Sequence, residues 1–290
     1  MAPHAKTVLH WTGSALAAAG VIYVGFRLHF YSSQIHFDRF GVSMWLFLIA
    51  TGLGYGVANV TLAFAWRNLL LQLECNPTIR WAVKIYGVTQ IAKYVPGNIF
   101  HLAGRQTMGM ALGAPGLALV KSAAWELALI SVAAVFFSTL ALPLLWAVPS
   151  LASVVLFLLT LGTAGVGLRH YVGPSVARAF AWYVGFLAVS ASFFVAVLRM
   201  VVVEDPTAAS PSWLFLCGAY SLAWLAGLIT PGAPAGLGVR EMVLLFVLND
   251  AVAKPDLLLA VLLGRLLTVV GDACFFFFSW LLSNEVSNSC

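Results

Sequence analysis

Two short segments of this chain combine helix-breaking residues with an arginine at the same distance. The first, KYVPGNIFHLAGRQ, spans residues 93–106, and the second, PGAPAGLGVRE, spans residues 231–241. In each, a Pro-Gly pair is followed by an arginine nine residues after the proline, Arg105 in the first and Arg240 in the second. Each segment follows one apolar stretch and leads into another, so the pattern predicts two related interruptions of membrane-embedded helices.

The chemistry expected of such interruptions is anion binding. Proline lacks a backbone N–H and clashes with the preceding turn, while glycine accepts positive φ, so a helix ends there. Because free backbone groups are too costly in lipid, a broken helix must be buried in protein or line a wet cavity. The next helix points its free N–H groups into that cavity, and an arginine about two turns on adds a full charge. The alternative is an ordinary interfacial loop with Pro-Gly in a turn.

Candidate substrate-binding residues lie in both segments and in the last apolar stretch. They are Lys93, Pro96, Gly97, Asn98, His101, Gly104, Arg105, Pro231, Gly232, Gly236, Gly238, Arg240 and Arg265. We expect Arg105 and Arg240 to contact a phosphate, with Lys93 and Arg265 in support. For His101 the alternative is that it satisfies nearby backbone groups.

Three acidic residues complete the ionisable set expected at membrane depth, namely Glu126, Glu241 and Asp272. Charges this deep are costly, so they must face one another or a water-filled path. With four basic residues against three acidic ones, the cluster keeps a net positive charge that suits a phosphate. We expect the carboxylates to balance charge, hold arginines or carry protons. Arg240 and Glu241 point in different directions on a helix and are not expected to pair. Arg265 and Asp272 share one face of the last span, so the alternative to a functional role for these two is an ion pair that only holds helices together.

The elements that position these residues follow from the composition. The chain has 290 residues, of which 62% are apolar and 9% are charged, whereas soluble domains carry about 25% charged residues. Apolar windows of about 20 residues are long enough to cross a bilayer, and their continuity excludes an outer-membrane barrel. We therefore predict an all-α, polytopic membrane protein with one transmembrane domain over residues 1–290. Full spans are expected at 8–27, 41–66, 117–142, 151–168, 178–200, 213–230 and 257–282, and broken, re-entrant or discontinuous elements at 85–116 and 231–250.

Charge distribution predicts the orientation of these spans. Residues 67–84 and 169–178 are rich in basic side chains, whereas 143–150 has no charge and 201–212 has only two acidic residues. Since basic loops stay in the cytoplasm, we expect the first two segments and the N-terminus to be cytoplasmic in a bacterial inner membrane. The basic residues between the first two spans fit this scheme less well.

Other chemistries lack their motifs in this chain. It has no Walker-type phosphate loop for an ATP-driven engine, no HExxH or GxSxG motif, and no clustered His, Cys and Asp set, so neither a metal nor a cofactor is expected. The chain has no basic stripe to which nucleic acid could bind. The cysteines are scattered, and we expect them to be small apolar residues rather than disulfides or metal ligands; they are Cys75, Cys217, Cys274 and Cys290.

The two segments resemble the flippase-like, lysylphosphatidylglycerol-synthase transmembrane family. Members of that family show a later Gly-Leu-Gly-Val-Arg-Glu pattern, matched here by residues 236–241. TPGAPAG departs from the family by an extra proline, which leaves the shape of the second interruption open. The resemblance covers nearly the whole chain in length and span pattern. The family's earlier basic, Pro-Gly and Gly-Arg pattern is matched by Lys93, Pro96, Gly97, Gly104 and Arg105.

The resemblance implies a stand-alone member without the aminoacyl-transferase domain of the large bifunctional proteins. In those proteins the module looks like the part that moves an aminoacylated phospholipid across the membrane. Stand-alone members are associated with envelope glycolipid, hopanoid and polyprenyl-linked sugar pathways, so cell-envelope biosynthetic enzymes are candidate partners. We therefore expect a lipid flippase or translocase for an anionic, phosphate-containing lipid, either a phospholipid or a polyprenyl-phosphate-linked sugar.

Two other classes of function stay open. A membrane-embedded glycosyl or phosphoryl transferase acting on a lipid carrier would use Glu126 or Asp272 as a base in the same cavity. It would turn over a lipid-linked donor in detergent, and such enzymes typically carry acidic metal-binding loops, which this sequence lacks. The third class is a non-catalytic membrane subunit of a lipid-modifying complex.

Overall fold

The computed structural model describes residues 41–94, 100–146, 148–202, 211–230, 233–249 and 251–282. All regular structure in these ranges is helical, which confirms the prediction of an all-α protein. Several predicted features lie outside the described residues: the span at 8–27, Pro96, Gly97, Asn98, Pro231, Gly232 and Cys290.

The described ranges form nine helices of nine residues or more. They are α1 (Val42–Gln72), α2 (Ile79–Gln90), α3 (Phe100–Ala111), α4 (Gly116–Ser138), α5 (Ser150–Gly167), α6 (Pro174–Val201), α7 (Trp213–Ile229), α8 (Val239–Val247) and α9 (Lys254–Leu281). Two 3-10 turns, Ile91–Tyr94 and Pro234–Gly236, follow α2 and α7. Short helical turns extend α4 to Leu145 and α5 to Val172.

Five of these helices are long and apolar enough to cross a membrane: α1, α4 and α5 with their extensions, α6 and α9. By length and composition the chain is therefore a multi-pass helical membrane protein. Helix α7 is apolar but has 17 residues, which is about 26 Å of helix against a hydrocarbon core of about 30 Å. The prediction of seven full spans is thus not confirmed.

The first described helix is longer than its apolar run predicts. Helix α1 continues to Gln72 rather than ending at 66, so Arg67 lies within it and most of the expected 67–84 loop is helical. The Nε of Arg67 donates to the carbonyl oxygen of Pro77 at 2.9 Å, which ties the short turn back to α1. Helix α2 then begins after Thr78, whose hydroxyl accepts a hydrogen bond from the Trp81 amide at 3.2 Å, as an N-cap residue should.

Glycines bring α1 and α9 close together. A Cβ placed on Gly56 would lie 2.9 Å from the carbonyl oxygen of Gly271, and one on Gly271 would lie 2.8 Å from that of Gly52. Small residues let the backbones of membrane helices approach in this way. The contact holds α9, which carries Arg265 and Asp272, firmly against α1.

Contacts between helix ends define two ends of the helical bundle. At the first end, Gln72 at the close of α1 donates to the Val172 carbonyl at 3.3 Å, and Lys84, midway along α2, donates to the Leu282 carbonyl after α9. At the second end, Arg199 near the close of α6 donates to the carbonyl of Pro211, just before α7. Helices α1, α5 and α9 therefore finish at the first end, and α7 starts at the second.

One cysteine departs from the sequence-based expectation. Cys75, in the turn between α1 and α2, is disulfide-bonded, so the prediction was wrong for this residue. Cys217 and Cys274 are free thiols, as expected. A disulfide needs two Cα atoms within about 7 Å, and spacing along the chain does not reveal which cysteines the fold brings that close.

Candidate anion-binding site

The two interruptions predicted from the sequence meet in space. The turn Ile91–Tyr94 contacts the turn Pro234–Gly236, although the two are far apart in the chain. The first turn also packs against α9 and the second against α7. Both turns therefore border one site between α7 and α9.

The second interruption takes its shape from backbone conformations that glycine accepts. Gly236 and Gly238 have φ values of 73° and 80°, in the left-handed region that glycine adopts without steric cost. Ala235 has φ of 48°, which costs a non-glycine residue about 1–3 kcal/mol. Its carbonyl oxygen accepts a hydrogen bond from Arg265 Nη2 at 3.0 Å, so α9 helps to hold this strained turn.

The second arginine lies closer to the start of its helix than the sequence predicts. Helix α8 begins at Val239, so Arg240 lies in its first turn rather than about two turns beyond the break. The reason is that the 3-10 turn Pro234–Gly236 and the positive φ angles of Ala235, Gly236 and Gly238 delay the start of the helix. In the first interruption, α3 begins at Phe100 and Arg105 lies in its second turn.

Gly104 lies at a contact between helices. A Cβ at Gly104 would lie 3.4 Å from Thr89 Cγ2 of α2, which is ordinary van der Waals contact. Gly104 does not line the central cavity, whereas His101 does, and its Nδ1 is buried without a hydrogen-bond partner among the described residues.

A small cavity of about 70 Å³ lies where these elements converge. It has room for several water molecules but is far below the roughly 300–1,000 Å³ of a typical small-molecule site. Aromatic side chains from several helices share the wall with the charged ones. The charged residues that line it are Lys93, Glu126, Arg240, Arg265 and Asp272, and the aromatic ones are Tyr55, Tyr86, Tyr94, Phe186 and Trp224.

Asp272, which is fully buried in α9, is surrounded by donors. Its carboxylate accepts hydrogen bonds from Lys93 Nζ at 2.8 Å, from the Tyr94 hydroxyl at 2.5 Å and from Asn59 Nδ2 at 3.0 Å. Lys93 and Tyr94 belong to the first interruption and Asn59 to α1. Asp272 therefore connects three elements that are separate in the sequence.

Arg105 also forms an ion pair with a carboxylate. Its Nη1 lies 2.5 Å from Glu126 Oε2, and Tyr86 donates its hydroxyl to Glu126 Oε1 at 2.8 Å. The guanidinium of Arg105 lies over the Tyr86 ring, 4.0 Å from its centroid. Arg105 is 3% exposed and borders a smaller neighbouring cavity rather than the central one.

The third acidic residue has a looser partner. Glu241 Oε1 lies 3.6 Å from Arg265 Nε, which is beyond hydrogen-bond distance. The direct Arg265–Asp272 pair considered as an alternative is not formed. The ionic neighbour of Arg265 is Glu241, and Asp272 is paired with Lys93. Arg240 and Glu241 do not pair either, in agreement with their different directions on the helix.

Arg240 differs from the other basic residues of this cluster. Among the described residues it has no carboxylate within 4.0 Å and no hydrogen-bond partner for its side chain, and its Nε is buried. The guanidinium lies over the Trp224 ring, 5.3 Å from its centroid. Gly227 and Gly236 leave the space that its side chain occupies, because a Cβ on Gly227 would come within 2.7 Å of Arg240 Nε.

The charges of the cluster add up to a positive site. Three basic residues are matched by three acidic ones, and Arg240 remains, so the seven charged side chains of the described cluster carry one net positive charge. In a low-dielectric site an unmatched cation of this kind attracts an anion far more strongly than in water. Within the described residues no group of three His, Cys, Asp or Glu side chains is placed to hold a metal ion.

Sequence reasoning missed the neutral partners of the charged residues. Asn59 had a signal, because an amide in the middle of an apolar span needs a partner. Tyr86, Tyr94 and Trp224 had none, since aromatic residues are frequent throughout this chain. Their roles depend on which charges the fold brings beside their rings and hydroxyls.

Comparison with known proteins does not identify the chain. No family model matches it, and no curated protein matches it. Its function is therefore argued from the geometry of the site.

Proposed function

We propose that this protein is a lipid flippase or translocase that moves an anionic, phosphate-containing lipid across the membrane through the central cavity. The observation that carries the proposal is Arg240, a guanidinium that borders the cavity without an anionic partner among the described residues. Arginine presents a planar fork of donors that matches phosphate oxygens. A phosphate in the cavity would supply the acceptors that Arg240 lacks.

The path of the chain supports two re-entrant hairpins that enter from opposite sides. Helix α5 finishes at the first end of the bundle, so α4, joined to it by a short turn, starts there. The α2–turn–α3 segment therefore leaves from the first end and returns to it. Helix α9 also finishes at the first end and so begins at the second, which means that α7–turn–α8 leaves from the second end and returns there. Such opposed interruptions place a substrate site near the bilayer midplane.

The charges at the helix ends support the orientation of the chain. Described basic residues concentrate near the first end of the bundle, whereas Arg199 and Lys254 lie near the second. Because positive residues mark the cytoplasmic side, we propose that the first end faces the cytoplasm of a bacterial inner membrane, although the Cys75 disulfide lies at this end and disulfides are rare in the cytoplasm. The basic residues near the first end are Arg67, Arg80, Lys84, Lys121, Arg169 and Arg178.

The residues near the cavity receive different roles in this proposal. Arg240 contacts the phosphate first, and Arg265 approaches it from α9, whereas Lys93 at the first interruption stays paired with Asp272. Arg105 is no longer an equal partner of Arg240, because its charge is already matched by Glu126. It supports the cavity by fixing α3 against α4.

The size of the cavity supports a transfer in which only the lipid head group enters the protein and the lipid tails stay in the bilayer. A cavity of about 70 Å³ admits no complete lipid, so the structure corresponds to a closed state that opens toward one side at a time. Helix α5 has a single fully buried residue, Ser153, and α5, α1 and α9 all present large apolar side chains at the surface. Acyl or prenyl chains would remain in lipid while the phosphate passes Arg240.

Reconstituted vesicles test this proposal. Fluorescently labelled phosphatidylglycerol is placed in both leaflets, and a reductant that cannot cross the membrane is added outside. The reductant quenches the label in the outer leaflet, so the loss of fluorescence measures the fraction of labelled lipid that reaches that leaflet. We expect the wild-type chain to expose inner-leaflet lipid and Arg240→Gln to lose this activity while remaining folded. The control is Arg178→Gln, since Arg178 is exposed and bonds only within its own helix. Equal activity of Arg240→Gln and wild type would overturn the proposal.

A further inference from the structure

Glu241 is held much less tightly than the other two acidic residues of the cluster. Asp272 accepts hydrogen bonds from three side chains, and Glu126 accepts them from Tyr86 and Arg105. Glu241 accepts none from any residue that the structure describes, and its Oε2 is buried without a partner. Its one ionic neighbour, Arg265, is 3.6 Å away, although Glu241 is 7% exposed.

The space beside Glu241 is a second cavity, of about 30 Å³, between α7, α8 and α9. Three buried polar atoms without hydrogen-bond partners belong to side chains on its wall: Arg240 Nε, Arg265 Nε and Glu241 Oε2. Arg240 and Arg265 line the central cavity as well. Glu241 therefore lies beside the two arginines that would receive the phosphate.

We propose that Glu241 takes up a proton when the anion binds. This inference rests on the proposed function, because it names how the same site couples to protons. A proton from water adds to the carboxylate and gives a neutral acid, and Arg265 is released to the phosphate. One negative charge and one proton enter together, so the cluster carries one net positive charge before and after binding.

The other two carboxylates are poorly placed for this step. A proton on Asp272 would leave Lys93 without its anionic partner, and a proton on Glu126 would do the same to Arg105. An uncompensated buried charge of that kind is strongly destabilising. Protonated Glu241 leaves Arg265 beside the incoming phosphate instead.

The charged and titratable groups around Glu241 set the direction of the effect. Arg265 faces it from α9 and Tyr220 from α7, and Arg240 precedes it on α8. Anion binding brings a negative charge among these groups, which favours the protonated carboxyl. By linkage, protonation must favour anion binding to the same extent. Coupling to one proton lowers the apparent Kd by at most about tenfold for each unit of decrease in pH.

Calorimetry tests the inference directly. Protein in nanodiscs of zwitterionic lipid is titrated with dihexanoylphosphatidylglycerol, whose single phosphodiester charge is constant between about pH 5 and 9, with empty nanodiscs as the blank. Titration in two buffers of different ionisation enthalpy reports the protons taken up for each anion bound. We expect uptake by the wild-type chain and by Glu74→Gln, a control at an exposed turn. Glu241→Gln should bind at pH 8 at least as tightly as wild type, without uptake.

The outcomes separate this inference from the proposed function. Anion binding by the wild type without proton uptake, or unchanged uptake in Glu241→Gln, overturns the role of Glu241 and leaves the anion site standing. Failure of the wild type to bind the anion at any pH removes the anion site and the proton step together. If Glu241→Gln does not fold, Glu241→Asp keeps the carboxyl and should shift the pH at which uptake occurs; an unshifted pH contradicts the inference.

Discussion

Lys93 and Asp272 form an ion pair at 2.7 Å, although they lie 179 positions apart in the chain. The contact joins the first interruption to the middle of α9. Asp272 is completely buried and Lys93 is 16% exposed, so neither charge is well hydrated. The pair therefore fixes one wall of the central cavity at the point where the two interruptions meet.

Removing one member of this pair should destabilise the protein. Asp272→Asn leaves the Lys93 ammonium buried without its anion, and breaking a buried pair in this way costs about 3–5 kcal/mol. We expect a clear fall in the unfolding temperature of the purified protein. The double variant Lys93→Met with Asp272→Asn removes both charges and should recover part of the loss. If the double variant were as unstable as the sum of its single variants, the pair would not be coupled.

The aromatic support of Arg240 can be removed without touching a charge. Trp224→Leu deletes the ring beneath the guanidinium, a cation–π contact worth about 0.5–2 kcal/mol. Because the guanidinium is then less well oriented, binding of a short-chain phosphatidylglycerol should weaken by roughly twofold to thirtyfold, measured by calorimetry. The control is Trp182→Leu, whose ring packs on Phe64 at 5.2 Å, away from the cavity. Equal effects of the two substitutions would contradict a role for Trp224 at the site.

The space reserved for the Arg240 side chain gives a third prediction. In Gly227→Ala the added Cβ would lie 2.6 Å from Arg240 Cγ and 2.7 Å from its Nε, so the arginine must move while keeping its charge. Lipid translocation in vesicles should fall by more than about tenfold, since a displacement of about 1 Å can cost a hundredfold in a positioned site. Gly185→Ala in α6 has open space around its Cβ and should translocate normally. Full activity of Gly227→Ala would show that the position of Arg240 is not critical.

The close crossing of α1 and α9 should not tolerate a methyl group. In Gly271→Ala the new Cβ would lie 2.8 Å from the Gly52 carbonyl oxygen and 2.9 Å from the Gly56 amide nitrogen. Backbone atoms cannot rotate away, so the helices must separate, and overpacking of this kind costs about 1–3 kcal/mol. We expect a lower unfolding temperature. The control is Gly162→Ala in α5, where an added Cβ would have no atom within 4 Å. Because alanine favours helix more than glycine does, this variant should be at least as stable as the wild type. A Gly271→Ala protein as stable as this control would argue against the close packing.

Much of the architecture could be predicted from local sequence. Apolar runs predicted α4, α6 and α9 with small errors at their ends, because a lipid-facing segment must satisfy its backbone within itself. The ends themselves were less predictable: α1 runs past its apolar stretch to Gln72, since nothing before Pro77 stops a helix. The disulfide of Cys75 was missed because the spacing of cysteines along the chain does not show which of them come close enough to bond.

The sequence by itself determined the membrane class, the two interruptions and the excess of one positive charge in the cluster. These follow from composition, from Pro and Gly, and from counting charges that lie within apolar stretches. Only the tertiary structure decided which charge is unmatched. Arg105 and Arg240 occupy the same place in their segments, yet α4 brings Glu126 to the first, whereas α7 brings the Trp224 ring to the second. Ion pairing depends on through-space distances between separate helices, and the spacing of residues within one segment contains no information about them.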